Sequence, residues 1–486
     1  MATIQKRHSR KRYPRPSSGS MELRPEDLIG LGNAAVVAPA GHGKTELITK
    51  VAALGRRTLI LTHTHAGVNA IKARLKRYGV AASAFAVDTI AGWSMRYAHA
   101  FPGVSDPPEG MPDGQEWDRL YVGAAKALKD VLAIRQVVEA SYDRVLIDEY
   151  QDCGALQHEL ATELSGIVPT LVFGDPMQGI FEFAGANLGW EDVIHRQFPY
   201  AGTLTVPYRW ASTNPALGEW IADAQERLAR GDTVDLTSCR EVSYRESDDA
   251  FDMGAFFESL DGKEGDFAAI HCRKNVCYAL AKATRGGYQA IEEVAASRLR
   301  EFARTWDRAA NGGRVAALRA LVADCFHKAQ PKAGEGQSRG DAARSAEMSA
   351  AAGALGVPGG AEAALAILSA ARGMEAWRPF RAELLRDAER ALESVAAGRS
   401  ETMEEAVAKI RQRLGLVGRK MPKRTVSTPL LLKGLEFAHV LVPDATHFGN
   451  ESQAQAKLFY VAISRAKASL TVSARIPRVA FPKPRM

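Results

Sequence analysis

The chain has 486 residues, with 63 Lys and Arg against 56 Asp and Glu for a formal charge of +7. At roughly 100–200 residues per domain it has room for about three domains with large cores, and 46% apolar with 24% charged residues excludes wholesale disorder. No run approaches the ~18 apolar residues of a membrane span.

The first 21 residues carry six basic side chains (Lys6, Arg7, Arg10, Lys11, Arg12, Arg15) and no acid. They lack the apolar stretch of a secretory signal, so a disordered basic tail on a cytoplasmic protein with no membrane partner is expected. Residues 475–486 carry four more basic side chains, again without an acid, and removing both ends leaves the body at −3. The basic character therefore belongs to the tails, and it cannot by itself argue for nucleic acid. Five scattered cysteines, Cys153, Cys239, Cys272, Cys277 and Cys325, suit reduced thiols better than a disulfide framework or a paired zinc site.

Taken in order, the apolar run 34–38 predicts a strand and 45–54 a helix, with a glycine-rich turn between them. Residues 58–62 (TLILT), 144–147 and 170–173 predict further buried strands. Strands alternating with helices at this spacing argue for a parallel α/β sheet. A second set at 267–271, 440–443 and 469–473 predicts a second α/β unit. The stretch 285–420 is rich in Ala, Arg and Glu at helical spacing, and reads as a helical insertion. Within it, 331–360 is dense in Gly, Ala and Ser, and reads as a mobile linker.

The turn between the first strand and helix is APAGHGKT, residues 38–45. Its glycines free backbone N–H groups to wrap a phosphate at a helix N-terminus. Ala40, Gly41, His42 and Gly43 would line that loop, Lys44 would reach the β- and γ-phosphates, and the Thr45 hydroxyl would ligate Mg²⁺. Residues 145–152 read VLIDEYQD, a strand ending in acids. Asp148 there can hold the metal and Glu149 can polarise a lytic water. Gln178, after the strand of 170–173, is a two-sided amide suited to sensing that water or the γ-phosphate.

With these residues on the page, the chain resembles a UvrD/Rep-type superfamily 1 DNA helicase in compact form. The ordered blocks are APAGHGKT, DEYQD (148–152), GDPMQ (174–178), PYR (207–209), KGLEF (433–437) and YVAISRA (460–466). The resemblance implies two RecA-like parallel-sheet P-loop domains, the first over 22–205 and the second over 206–284 and 421–475, with the insertion between them and a basic tail from 476. It implies ATP in the cleft, Arg209 and Arg465 as arginine fingers, Tyr208 stacked on the base, Glu436 accepting from the ribose hydroxyls, and Gly434 among the ATP-binding residues. It implies single-stranded DNA or a tailed duplex as partner, met by Thr62, His63, Thr64, Thr89, Phe181, Phe183 and Thr428, with Mg²⁺ as cofactor and movement 3′ to 5′.

Several positions depart from the family. Ala184, Ala91 and Leu430 stand where an arginine and two histidines are usual, and Asp27 where an adenine-reading glutamine is usual. Only 58 residues separate Thr89 from Asp148, too few for the large insertion many relatives carry there. These losses motivate a second reading: an NTP-hydrolysing switch subunit that assists a protein partner such as a nuclease, as compact UvrD-like ATPases of the Gabija type do in bacterial anti-phage defence.

Overall fold

The computed structural model describes residues 22–109, 112, 114–180, 188–258, 262–291, 295–309, 313–328, 338–356, 360–417, 421–449 and 453–481. Expectations for the tail over 1–21 and for Phe181, Phe183 and Ala184 fall outside that set.

Short apolar runs that are buried along their whole length must be covered on both faces, which is the condition of a parallel sheet. Such runs fill the middle of the first sheet, which comprises β1 (Ala34–Val37), β2 (Thr58–Thr62), β3 (Phe85–Thr89), β4 (Arg144–Ile147), β5 (Thr170–Gly174) and β6 (Tyr200–Thr203); β2, β4 and β5 are buried throughout, and β3 and β6 only in part. Their order is β3-β2-β4-β5-β1-β6, and every neighbouring pair is parallel. β5 pairs directly with β1, Gly174 opposite Val37, and β4 lies on the other side of β5. The acids that follow β4 and β5 are therefore delivered to the carboxyl end of β1, where open α/β sheets bind ligands.

The second sheet comprises β7 (Val242–Glu246), β8 (Phe267–Ile270), β9 (Gln289–Ala290), β10 (Arg424–Ser427), β11 (Phe437–Val442) and β12 (Ala466–Ala474). It runs β9-β10-β8-β11-β12-β7, again all parallel. Two P-loop-type parallel sheets with a helical insertion in the second are thus the architecture. β3, β6, β7, β9 and β10 were not legible as strands in the sequence. β6 contains Gly202, β9 has two residues, and β10 reads RTVS, yet Thr425 and Ser427 are fully buried, with Ser427 Oγ donating to the Ile291 carbonyl at 3.3 Å and Thr425 Oγ1 to the Pro422 carbonyl at 3.2 Å.

Six helices, Ala295–Arg308, Gly313–Cys325, Arg339–Ala352, Gly360–Gly373, Ala382–Ala396 and Met403–Val417, lie between β9 and β10. They close on a separate core that includes Trp306, Leu321, Leu368 and Leu385. The sheet and this bundle are tied by Gln289, whose Nε2 donates to the Pro379 carbonyl at 2.9 Å and whose Oε1 accepts from Ala382 N at 3.1 Å. The linker expected over 331–360 is corrected for its central part, which is the helix Arg339–Ala352. Alanine carries the lowest helix cost of any residue, Ser338 caps the first turn by accepting from Asp341 N at 3.1 Å, and the helix packs along Gly360–Gly373. The tail expected from 476 is likewise docked as far as Phe481. Arg478–Val479 pairs antiparallel with Val234–Asp235, and Phe481 is buried.

Asp341 anchors the bundle. Its carboxylate is 4% exposed and accepts from Glu375 N at 2.8 Å and Ala376 N at 3.4 Å, beyond the end of the next helix. Asp341→Ala removes the buried acceptor of two part-buried amides, and a loss of about 1–3 kcal/mol in urea-unfolding stability is expected. A loss confined to ~0.3 kcal/mol would mean that water replaces the carboxylate.

Candidate nucleotide site between the two sheets

The loop after β1 turns through Gly41 and Gly43, at φ of 76° and 84°, a region that favours glycine. The helix Lys44–Leu54 begins with no side-chain cap, so its first amides have no intrahelical partner and face the loop. This is the geometry of an anion site. Tyr208 stands over it: a side chain at Gly43 would come within 3.1 Å of the Tyr208 ring. That ring is half exposed, with its hydroxyl donating to Glu22 Oε1 at 2.5 Å.

Lys44 crosses from the helix to the acids after β4. Its Nζ lies 2.5 Å from Asp148 Oδ1 and 2.5 Å from Glu149 Oε1. Burial opposes the charge of Lys44, but the two carboxylates outweigh it and raise its pKa. Burial likewise opposes the charge of Glu149, and here the cations Lys44 and Lys433 win, holding it down to about 2. For Asp148 burial dominates the attraction of Lys44, and Glu149 adds to it, so its pKa rises. Glu149 sits at φ 56°, an uncommon conformation for a non-glycine residue. Its carboxylate accepts from Gln151 Nε2 at 2.5 Å.

The strip after β5 reaches the second sheet. Asp175 is fully buried, and its Oδ2 accepts from Ala40 N at 3.1 Å, Gln178 Nε2 at 2.8 Å and the Tyr460 hydroxyl at 3.0 Å. Burial raises the pKa of this carboxyl. Gln178 Oε1 accepts from Arg465 at 3.2 Å. Arg465 is 1% exposed, its other donors engage the carbonyls of Val461 and Leu435, and burial with the neighbouring Arg209 lowers it to about 10. Arg209 meets the loop through its own backbone, Arg209 N donating to the Gly41 carbonyl at 2.9 Å. Its guanidinium bonds the Ser464 carbonyl at 2.5 Å and pairs with Glu436 at 2.8 Å, and its buried Nε has no hydrogen-bond partner. Glu436, expected at a ribose, is thus engaged with an arginine. Gly434 turns at φ 80° just before it.

Lys433 completes the junction. Its Nζ donates to Asp152 at 2.5 and 2.7 Å and to the Gln178 carbonyl at 2.7 Å. Burial pushes Asp152 up to about 6 against the pull of Lys433 and lowers Lys433 itself. Asp175, Tyr460, Lys433 and Trp210 were not singled out from the sequence, although all lie in or beside its motifs. Their partners are long-range, and no local pattern announces such pairs.

An orphaned arginine donor, an uncapped helix N-terminus and a buried lysine parked on carboxylates fit a polyanionic phosphate chain. For Mg²⁺, Thr45 and Asp148 offer two hard oxygens, and no cluster of three or more His, Cys, Asp or Glu able to hold a metal occurs among the described residues. The donor set fits that cation when nucleotide phosphates complete its shell. His42 is buried, its Nδ1 on the Ala40 carbonyl at 2.9 Å, with burial lowering its pKa.

The residues expected to meet DNA are less open. Thr62 is 2% and Thr89 5% exposed, so neither hydroxyl faces solvent in this conformation. Thr89 Oγ1 accepts from Gly92 N at 2.9 Å and Thr64 Oγ1 from Gly67 N at 3.0 Å, both as helix N-caps. Thr64 is exposed and Thr428 half-buried. His63, expected to stack on a base, is turned toward the acids: its Nε2 lies 3.5 Å from Cys153 Sγ, and burial pushes it down to about 4, so it is neutral.

Residues 111–198 match the family model described as UvrD/REP helicase N-terminal domain, a stretch that includes β4, β5 and the acids after each. No curated protein matches the chain. Among solved structures it is similar to arterivirus nonstructural protein 10, a helicase in complex with DNA, at 11% identity over 92% of this chain and 61% of that one with a TM-score of 0.33. It is also similar to the Pif1 helicase of Candida albicans, at 12% identity over 50% of this chain and 53% of that one with a TM-score of 0.27. The chain thus spans less than two thirds of the length of either protein, and overlaps this partial carry no argument of their own. Within the described residues no helix is long and apolar enough to cross a membrane.

Proposed function

We propose that this chain, a member of the UvrD/Rep-type superfamily 1 helicases, is an ATP-dependent translocase or helicase on single-stranded DNA, moving 3′ to 5′ as its family resemblance implies. One observation carries the reading. Lys44, Asp148, Glu149 and Gln178 from the first sheet meet Arg209 and Arg465 from the second around a single uncapped helix N-terminus. Two elements that share one cleft can be driven apart and together by what the cleft holds.

In this reading the incoming triphosphate takes Lys44 from its carboxylates, and Asp148 with Thr45 would hold Mg²⁺. That ion, when bound, draws charge from the phosphate oxygens. Glu149 orients and deprotonates the lytic water, Gln178 senses it, and the planar guanidinia of Arg209 and Arg465 take up charge on the transferring group. Tyr208 offers its half-exposed ring to the base.

The test is the turnover rate without nucleic acid, with single-stranded DNA, with duplex and with RNA, followed by strand displacement on 3′- and 5′-tailed duplexes. Stimulation of about tenfold or more by single-stranded DNA is expected, since bound DNA must set the two sheets in their hydrolytic arrangement. Turnover indifferent to every nucleic acid sinks the motor. The buried Thr62 and Thr89 hydroxyls favour the second reading, an NTP-driven switch that assists a protein partner such as a nuclease, and that outcome would promote it.

A further inference from the structure

Trp210 follows the finger Arg209 in sequence and is fully buried at the junction of the two sheets. It packs in one core with Ala40 and Met177 of the first sheet and Tyr460 and Ile463 of the second. Its surroundings form a slot cut for an indole. A side chain at Gly41 would lie 2.6 Å from the ring, and one at Gly218, in the helix Pro215–Arg230, 2.8 Å from Trp210 Cβ. Two glycines, one in the phosphate loop and one in the helix Pro215–Arg230, thus give way to one side chain. The indole Nε1 donates to the Ala466 carbonyl at 2.6 Å, and Ala466 directly follows the other finger, Arg465. The guanidinium of Arg209 lies 5.3 Å from the ring centroid, within cation–π range.

We propose that Trp210 is a positioning residue that sets both arginines against the phosphate loop: Arg209 through the ring face and the shared backbone, Arg465 through the Ala466 carbonyl. The inference rests on the hydrolytic reading of the cleft. No smaller aromatic does both jobs, because phenylalanine fills much of the slot but has no N–H, which strands a buried carbonyl beside Arg465. A group whose effect runs through residues that act in the transition state alters turnover more than ground-state binding.

The experiment compares the full chain with Trp210→Phe, Arg209→Ala, the double variant and Glu149→Gln. It measures kcat and KM for ATP, the affinity for a fluorescent ATP analogue, and the thermal midpoint. For Trp210→Phe we expect kcat to fall about 5- to 20-fold with KM and analogue affinity within about twofold. In the Arg209→Ala background the same change should cost about threefold or less, since residues acting as one unit are not additive. Wild-type kcat in Trp210→Phe overturns the proposal. So does loss of kcat and analogue affinity in step with the thermal midpoint, which marks packing alone. A wild-type chain that does not turn over ATP, like Glu149→Gln, overturns the hydrolytic reading and this inference with it, and is told apart by the wild-type rate.

Discussion

Glu149→Gln should lower nucleotide turnover by about 10²- to 10⁴-fold, the range of a lost general base, with KM little changed because the phosphate loop and Lys44 remain. Nucleotide-free, Glu149 is a poor base: although its side chain is 34% exposed, Lys44 and Lys433 beside it hold it down to about 2, far below the neutral range in which bases work best. The nearest of those charges is Lys44, 2.5 Å from its Oε1. A phosphate chain that draws Lys44 away lifts that restraint, so the base strengthens when its substrate arrives. The depressed pKa also has a stability consequence of definite sign. The contribution of Glu149 is present above its ordinary value near 4.5 and is lost as the pH falls toward about 2. Glu149→Gln therefore removes some stability at pH 7, and the difference from wild type should close as the pH falls toward 2. Steady-state kinetics and thermal melts on both proteins measure this. Turnover within tenfold of wild type would remove Glu149 from the base's role. Lys44→Ala is the contrast, expected to lose binding and turnover together.

The parts of the fold and site that were legible in the sequence share a physical cause. TLILT and RVLI are buried along their whole length around an apolar centre because both faces of a parallel strand are covered, and the loop after β1 announces itself through glycines with positive φ. Local chemistry of this kind leaves a local trace. β10 left none: Thr425 and Ser427 look like loop residues, and their burial depends on partners far along the chain. The helix Arg339–Ala352 was misread because its composition is that of a linker, while its cap and its packing on Gly360–Gly373 are tertiary facts. The family resemblance places His63 at a base, while in this structure its Nε2 lies 3.5 Å from Cys153 Sγ, a partner that no local pattern announces. Motif order located the cleft; which side chain touches which across it depended on the second sheet's placement.

Lys433 and Asp152 test that cross-cleft placement most severely. Their side chains are each 10% exposed and 2.5 Å apart, joining the exit of β4 to the turn before β11. Burial raises Asp152 to about 6 and lowers Lys433, so each would be nearer neutral alone, and the pair is held by mutual attraction against desolvation. Cutting one partner leaves the other charge buried, a loss of about 3–5 kcal/mol, whereas replacing both with apolar side chains of similar size is often close to neutral. Lys433→Met should therefore be strongly destabilising, and Lys433→Met with Asp152→Leu should recover most of that loss. The pH dependence has a fixed sign. A carboxyl with a raised folded pKa contributes stability that is full below its ordinary value near 3.8 and lost as the pH rises through its folded value. In the wild type that loss falls between about 4 and 6. In Lys433→Met the folded pKa climbs further, so the loss extends toward neutral and the penalty grows from pH 5 to 8. Urea unfolding across that range measures it, and a penalty flat with pH would mean that Asp152 had found another cation. The double variant also separates folding from function. It should fold, yet it lacks the Lys433 bond to the Gln178 carbonyl that steadies the amide facing Arg465, and its turnover should fall about tenfold with nucleotide affinity intact.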